Sequence, residues 1–367
     1  MSFFSKCIFL SKKIYLLFLS GFLLMCMACK KEPTLTAKLI TDGPGFSDKS
    51  YNAKAWEGIL KFYGEEWGNE EYFGTLYDII PCREPALRTS ILRQVSEERP
   101  DLIIITSFLF ADPIKYVVPS FPDQKYLCID ADSFGFENVR NYLFASEEGS
   151  FLVGAAAAFS AQKDGVQNPS FGFIGGVEGD IITDFEIGFI QGIHYILPDA
   201  KIFVHYVNDW GKPELAAESA KKWYDKNVYA VYSAAGASGN GTIAQAVAHR
   251  KAGYNVWAIG VDADQYEEGI YGVNKSAVLT SMVKNNDSAV LSGLNHVAKG
   301  TFSGGNVIIG LKENGVGFTT TNPELKEDIV KRLNMIRSDI ISGKISVVAT
   351  YKDRAKATEI SNTGIKD

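Results

Sequence analysis

SFGFIG at 170–175, DFEIGFIQGIHYI at 184–196, KIFVHYV at 201–207, PELAAESAKKWYD at 213–225 and VYAVYS at 228–233 together decide the fold. Short apolar, β-prone runs alternate with longer segments whose apolar residues recur three and four apart. That alternation predicts strand–helix–strand units and parallel sheets. A helix at 242–253 and a strand at 255–261 extend the series. Upstream, strands are expected at 36–41, 72–80, 102–106 and 125–130, and helices at 51–63, 84–98 (ended by Pro100) and 147–162. The segment at 102–106 is an apolar run of the kind buried on both faces of a parallel sheet. The two series separate near 141–147, so two doubly wound α/β domains of similar size are expected.

The N-terminus reads differently. Lys6, Lys12 and Lys13 precede an apolar run at 14–27, then Ala28, Cys29 and the polar Lys30, Lys31 and Glu32. This is the order of a secretory signal, too short and too one-sided in its flanks for a spanning helix. Ala28-Cys29 resembles a bacterial lipobox, with Cys26 in the place of the usual Leu. Cys26 itself follows the bulky Met25, so Cys29 is the expected lipidation site. Residues 1–28 are then the signal and 29–36 a lipidated tether. Several acyl chains at Cys29 would hold the protein to the cell membrane, facing the periplasm or exterior.

Composition narrows the function. The formal net charge is −6, and losing the three signal lysines makes it −9. An acidic protein is a poor partner for nucleic acid. About 340 residues after cleavage exceed what one core usually serves. Beyond the signal only Cys82 and Cys128 remain, each ending an apolar run and read as a buried thiol. His194, His205, His249 and His296 lack metal-ligand spacing. Neither a metal nor a cofactor is expected.

Ligands of open α/β sheets sit beyond the carboxyl ends of the strands. The residues there are Asp42 to Phe46, Ser107-Phe108, Asp130-Ala131-Asp132, Asn208-Asp209-Trp210, Ala235-Gly236-Ala237 and Asp262-Ala263-Asp264. All are small, polar or aromatic, the composition of a cleft closing on a small ligand. Gly236 to Gly241 superficially resembles a phosphate cradle. It lacks the Gly-Lys-Ser/Thr ending of a P-loop, and close backbone approach to an uncharged ligand explains it better.

A set of motifs carries a family resemblance. It comprises Thr41-Asp42-Gly43 with Asp48-Lys49-Ser50-Tyr51-Asn52 and Trp56-Glu57-Gly58, Glu148 to Gly154, Phe173-Ile174-Gly175-Gly176 and Gly188 to Gly192. It continues with Ala235 to Gly241, Ile259 to Gln265, Thr280 to Lys284 and Ser342-Gly343-Lys344-Ile345. In this order they resemble the basic membrane protein family of bacterial lipoproteins, which includes a purine nucleoside receptor. The resemblance implies a type I periplasmic-binding-protein fold, two Rossmann-like lobes with a hinge and an interdomain cleft. The lobes would comprise 37–144 with 284–308 and 145–283 with 309–350, leaving 351–367 as a tail. It implies a receptor that hands nucleosides to an ABC transporter permease, with the base stacked between aromatics and the ribose gripped by charged groups. Carried over, the first aromatic is Phe46 or Tyr51, the second Trp210, and the ribose pair Asp262 and Lys284. Asp130 stands where the fold commonly places a ligand-contacting carboxylate. Asp42, Asn52, Phe108 and Gly236 complete the expected ligand-binding set. Asp48 is read as a helix cap. Thr106-Ser107-Phe108 departs from the family, where many relatives carry a glycine.

The residues agree with that reading. A nucleoside offers a flat π-face, a hydrogen-bonding edge and a vicinal diol. Base stacking contributes about 1–3 kcal/mol, and carboxylates accept strong bonds from hydroxyls. Three other readings stand beside it. A nucleoside hydrolase would need a tight acid cluster or a partnered histidine. Asp130/Asp132 and Asp262/Asp264 instead alternate along extended chain and point opposite ways. A receptor for another small ligand such as riboflavin or a sugar, and a surface interaction lipoprotein on the same scaffold, are the others.

Overall fold

A computed structural model describes residues 34–349 apart from Pro44, together with a strand at 364–366. Cys26, Cys29, the signal and most of the tail lie outside the described residues.

The first sheet is built from β1 (Ala37–Asp42), β2 (Tyr77–Cys82), β3 (Leu102–Thr106), β4 (Tyr126–Ile129) and β5 (Val139–Phe144). The second begins with β6 (Ser170–Gly175), β7 (Lys201–Tyr206), β8 (Ala230–Ala234) and β9 (Trp257–Asp262). A small hairpin, β10 (Ile270–Gly272) and β11 (Lys275–Ser276), leads into β12 (Val278–Lys284) of the second sheet. β13 (Gly305–Ile309) returns to the first sheet, and β14 (Val316–Phe318) and β15 (Gly364–Lys366) belong to the second. The strand orders are β13-β5-β4-β3-β1-β2 and β14-β12-β9-β8-β6-β7-β15. Every pairing in the two sheets is parallel except β12 with β14. Both sheets therefore run outward in two directions from their first strand, the doubly wound order with a switch point beside β1/β3 and beside β6/β8.

The helices are α1 (Tyr51–Tyr63), α2 (Arg88–Glu98), α3 (Ala111–Val117), α4 (Ser146–Lys163), α5 (Asp180–Ile196), α6 (Pro213–Tyr224), α7 (Asn240–Lys251), α8 (Asn286–Ala298) and α9 (Glu327–Ile341). They cover both faces of the sheets, which is why β3, β4, β8 and β9 are buried along their whole length. No helix among the described residues is long and apolar enough to cross a membrane.

Several boundaries depart from expectation. Residues 72–76 form a turn, so β2 starts only at Tyr77. Pro85 opens a 3-10 turn at Pro85–Leu87, and the helix proper follows from Arg88. Proline suits a first turn because it has no amide hydrogen to lose there. Residues 141–144, expected in the break between domains, are the last four residues of β5. α5 begins at Asp180, one turn before the expected 184.

The chain passes between the sheets three times: from β5 to α4, from β12 to α8 and from β13 to β14. The crossings are tied to one another. The Ala145 amide donates to the Ile309 carbonyl at 3.1 Å, and the Asn285 amide to the Gly315 carbonyl at 2.8 Å. Glu148, in the first turn of α4, accepts from the Leu311 amide at 2.7 Å.

Beneath the second sheet α4 and α5 press backbone to backbone. A methyl group on Gly154 would stand 2.3 Å from the Phe189 carbonyl oxygen, on Gly188 2.2 Å from that of Glu147, and on Gly192 2.0 Å from that of Phe151. Backbone cannot yield as a flexible side chain would. Gly192→Val is expected to cost about 3 kcal/mol, the upper end of ordinary overpacking. Gly179→Ala, where nothing lies within 4 Å, should cost under about 1 kcal/mol. Urea unfolding of the two variants checks both.

Candidate functional site

The carboxyl ends of the strands flanking both switch points meet around one cavity. About 620 Å³ of space lies between its lining atoms, open solvent at the mouth included. β1 supplies Asp42, β3 leads to Ser107 and Phe108, and β4 to Asp130; the segment entering α1 supplies Asp48, Tyr51 and Asn52. From the second sheet come Trp210 after β7, Ala234, Gly236 and Ala237 at β8, Val261 and Asp262 of β9, and Lys284, the last residue of β12. The first turns of α5 add Ile181, Ile182 and Phe185.

Local backbone explains why these residue types stand at the strand ends. Asp130, Asn208 and Asp262 have φ of 60°, 54° and 65°. Left-handed backbone breaks the strand sharply, and Asp and Asn tolerate it better than other side chains. Asp48 bonds three amides of the α1 entry, those of Ser50, Asn52 and Ala53, at 3.0, 2.7 and 3.1 Å. It is the expected helix cap and also lines the cavity. Asn52 accepts from the Thr106 hydroxyl at 2.6 Å. Ser107 donates to Asp42 at 2.8 Å and accepts from the Leu109 amide, starting the turn that carries Phe108. A glycine at 107 could do neither.

Lys284 is the centre of charge. It is 1% exposed and is bonded directly to the Asp130 carboxylate, an ion pair that joins the two sheets. Its ammonium lies 5.2 Å from the Tyr51 ring centroid, 4.8 Å from that of Phe144 and 5.6 Å from that of Phe185, an aromatic surround that favours a cation. The Tyr51 hydroxyl donates to the Ile129 carbonyl at 3.2 Å, and Asn286 holds the Tyr51 carbonyl at 3.1 Å.

Several acids of the cavity and of the helices beside it have raised carboxyls. Burial pushes the Asp262 carboxyl up to about 7, with Lys284 opposing and Asp48 and Asp130 adding to the rise. Burial raises Asp184 to about 8, helped by Glu147 and Asp180, and Glu147 to about 7. Asp48 rises to about 6 by burial, against its three amide donors. Asp42 is raised by burial, with Ser107 and Asn52 opposing. One Asp184 carboxylate oxygen is buried without a hydrogen-bond partner.

Nine of the ten expected ligand residues line the cavity. Phe46 does not. Its ring packs 5.5 Å from Trp56 and 5.3 Å from Trp67. It stands two residues from Asp48 in one 3-10 turn, where side chains that far apart leave on different sides. Across the cleft, Phe108 meets Trp210 edge to face at 6.2 Å. Ser107 and Ala237, from the expected strand-end segments, also line the cavity, and Asp48, Ile181, Ile182, Phe185, Ala234 and Val261 do so without having been expected there. Three of these ride on α5: Ile181 and Ile182 precede the expected start of that helix, and Phe185 lies inside it as an apolar residue of core type. Asp132 and Asp264 are engaged elsewhere, with Asn306 and Thr321. Among the described residues no group of three or more His, Cys, Asp or Glu is placed to hold a metal.

The match of residues 35–351 to the model of the Bmp family, ABC transporter substrate-binding proteins of the PnrA-like type, covers nearly all of the described chain. The chain belongs to this family. Two relatives illustrate it. The CD4+ T-cell-stimulating antigen of Listeria monocytogenes is 32% identical over 87% of this chain and 89% of the relative. The ABC transporter nucleoside-binding protein BmpA of Lactococcus lactis is 29% identical over 87% and 90%. An ABC solute-binding protein of Aeropyrum pernix shares the fold, with a TM-score of 0.77 at 24% identity over 89% of this chain and 98% of that one. As a Bmp-family member the chain is a substrate-binding protein of an ABC transporter.

The raised carboxyls set the pH response of this Bmp-family cleft. Each keeps its proton in the folded chain at pH values where the unfolded chain, near 4, has lost it. The folded state thus holds more protons between about pH 4 and pH 8, and stability falls as pH rises through that window. Without ligand, the thermal midpoint is expected to be higher at pH 5.5 than at pH 8.5. Asp184→Asn, which cannot ionise, should narrow the gap by about 1.5 °C, the equivalent of roughly one kcal/mol in a chain this long. Differential scanning calorimetry at the two pH values checks it.

Proposed function

We propose that the protein captures a purine nucleoside in this cavity and delivers it to the permease of its importer. The observation that carries the reading is the pairing of opposed aromatic walls, Phe108 and Trp210, with one buried cation among carboxylates. A base has π-faces for the aromatic walls. A ribose has vicinal hydroxyls that donate to Asp262 and Asp130 and accept from Lys284. Because Lys284 is already paired with Asp130, a ribose joining them exchanges one charge-assisted bond for others and leaves no buried charge bare. A purine N–H has Asp42 as a further acceptor.

Titration calorimetry of the full-length protein in detergent tests the reading. Inosine, guanosine or adenosine should bind with micromolar or tighter affinity. Trp210→Ala should weaken binding by about ten- to a hundred-fold, the worth of one stacking face, and Asp262→Ala by a similar factor. Absence of heat with every nucleoside would retire this ligand class, and steady release of free base from inosine would replace the receptor with a hydrolase.

Attachment through Cys29 is part of the same proposal. The lipobox-like Ala28-Cys29 supports it, and a substrate-binding protein acting on a membrane permease benefits from such a tether. Mass spectrometry should find the mature N-terminus acylated at Cys29, and Cys29→Ala should move the protein out of the membrane fraction.

A further inference from the structure

Trp210 lies against two glycines that serve it in different ways. Gly236 has φ +54°, so its backbone demands glycine, and a methyl group there would stand 3.5 Å from the indole, an ordinary contact. Gly176 is the reverse case. Its backbone lies outside the left-handed region, so any residue could adopt it. A methyl group on Gly176, however, would stand 2.2, 2.5 and 2.8 Å from three carbons of the Trp210 six-membered ring.

Neither backbone can withdraw. The Gly176 amide donates to the Ala234 carbonyl at 2.9 Å, and its carbonyl accepts from Asn208 at 2.8 Å. The Trp210 carbonyl accepts from the Ser238 amide at 3.0 Å. The Ser238 hydroxyl donates to the Asp209 carbonyl at 2.7 Å and accepts from the Lys212 amide at 2.9 Å. Only the ring can move. Carbon contacts settle near about 3.5 Å, so it would have to travel more than about 1 Å. With a methyl group on Gly176 behind it, the ring moves away from the end of β6 into the cavity that it lines, where the Phe108 ring stands 6.2 Å away.

From this packing we infer that Gly176 is a specificity-determining residue: its missing side chain lets Trp210 lie back on the end of β6, and that retraction sets the size of the ring system the cleft admits. The inference rests on the nucleoside reading for its choice of ligands. The glycine touches no ligand. It acts through the aromatic wall, and filling its space narrows the slot for a two-ring base before it affects a one-ring base.

The test compares inosine with uridine in calorimetric titrations of the full-length protein in detergent, as wild type, Gly176→Ala, Trp210→Phe and the double variant. Gly176→Ala is expected to weaken inosine by about 20-fold, the loss of a well-formed stacking face, while uridine changes little. In the double variant, the smaller phenyl ring leaves room for the methyl group, and inosine affinity should return to that of Trp210→Phe alone. Unchanged inosine affinity in Gly176→Ala, an equal loss for both nucleosides, or no rescue in the double variant would each overturn the inference. If the wild type binds neither nucleoside, the nucleoside reading fails by itself. A crystal structure of Gly176→Ala then decides the inference without ligand: an indole displaced toward Phe108 upholds it, and an indole in its original place overturns it.

Discussion

One ion pair holds the site together. Lys284 and Asp130 come from the ends of β12 and β4, strands of different sheets, and both are withdrawn from water. Desolvating two charges is expensive, and their mutual attraction repays it only when the geometry is good and the remaining lone pairs are served. Here the three aromatic rings around the ammonium and the polar cavity beside the carboxylate supply that setting. Burial raises the Asp262 carboxyl and Lys284 opposes that rise, so this cation offsets part of the cost of a second acid in the cavity. Removing Lys284 would bare Asp130 and remove the one group opposing the rise of Asp262. The junction of the two sheets and the charge balance of the cavity thus share a single contact.

Two constraints of different kinds converge on that contact. The doubly wound strand order brings the carboxyl ends of β1, β3, β6 and β8 to facing switch points, and the left-handed backbone at Asp130 and Asp262 ends the neighbouring strands sharply at the cavity. The first is a consequence of chain topology, the second of local sterics that favour Asp and Asn over bulkier residues. Scaffold and site are therefore separable. The buried strands fix position, while the short segments after them determine chemistry, as the Ser107 turn illustrates by carrying Phe108 into the opposite wall from Trp210.

Most of this was legible because it depends on local pattern. Parallel strands buried on both faces read as short apolar runs, so 102–106 and 170–175 coincide with β3 and β6. Residues after strands could be searched for polar and aromatic side chains, which found Trp210 and Asp262. What escaped depends on tertiary placement. Phe46 and Tyr51 are equivalent aromatics on paper, and only the 3-10 turn at Gly45–Asp48 and the Trp56 ring decide that one packs against α1. The first turn of α5 holds Ile181 and Ile182, apolar residues indistinguishable from core until the strand ends of the other sheet face them. The role of Gly176 was invisible for a simpler reason: a missing side chain has meaning only when its neighbour is known.

The route of the chain through the two sheets has a consequence for how the protein forms. β13 occupies one edge of the first sheet, beside β5, yet it lies some 160 residues later in sequence. The intervening chain builds most of the second sheet before β13 is made. During synthesis the first sheet therefore carries an unpaired β5 edge until residue 309 has emerged. Exposed edges invite wrong partners, and contacts this distant in sequence form slowly. A chain that leaves its first sheet open until the second is largely laid down has, built into its connectivity, a long interval in which it is not yet fully folded.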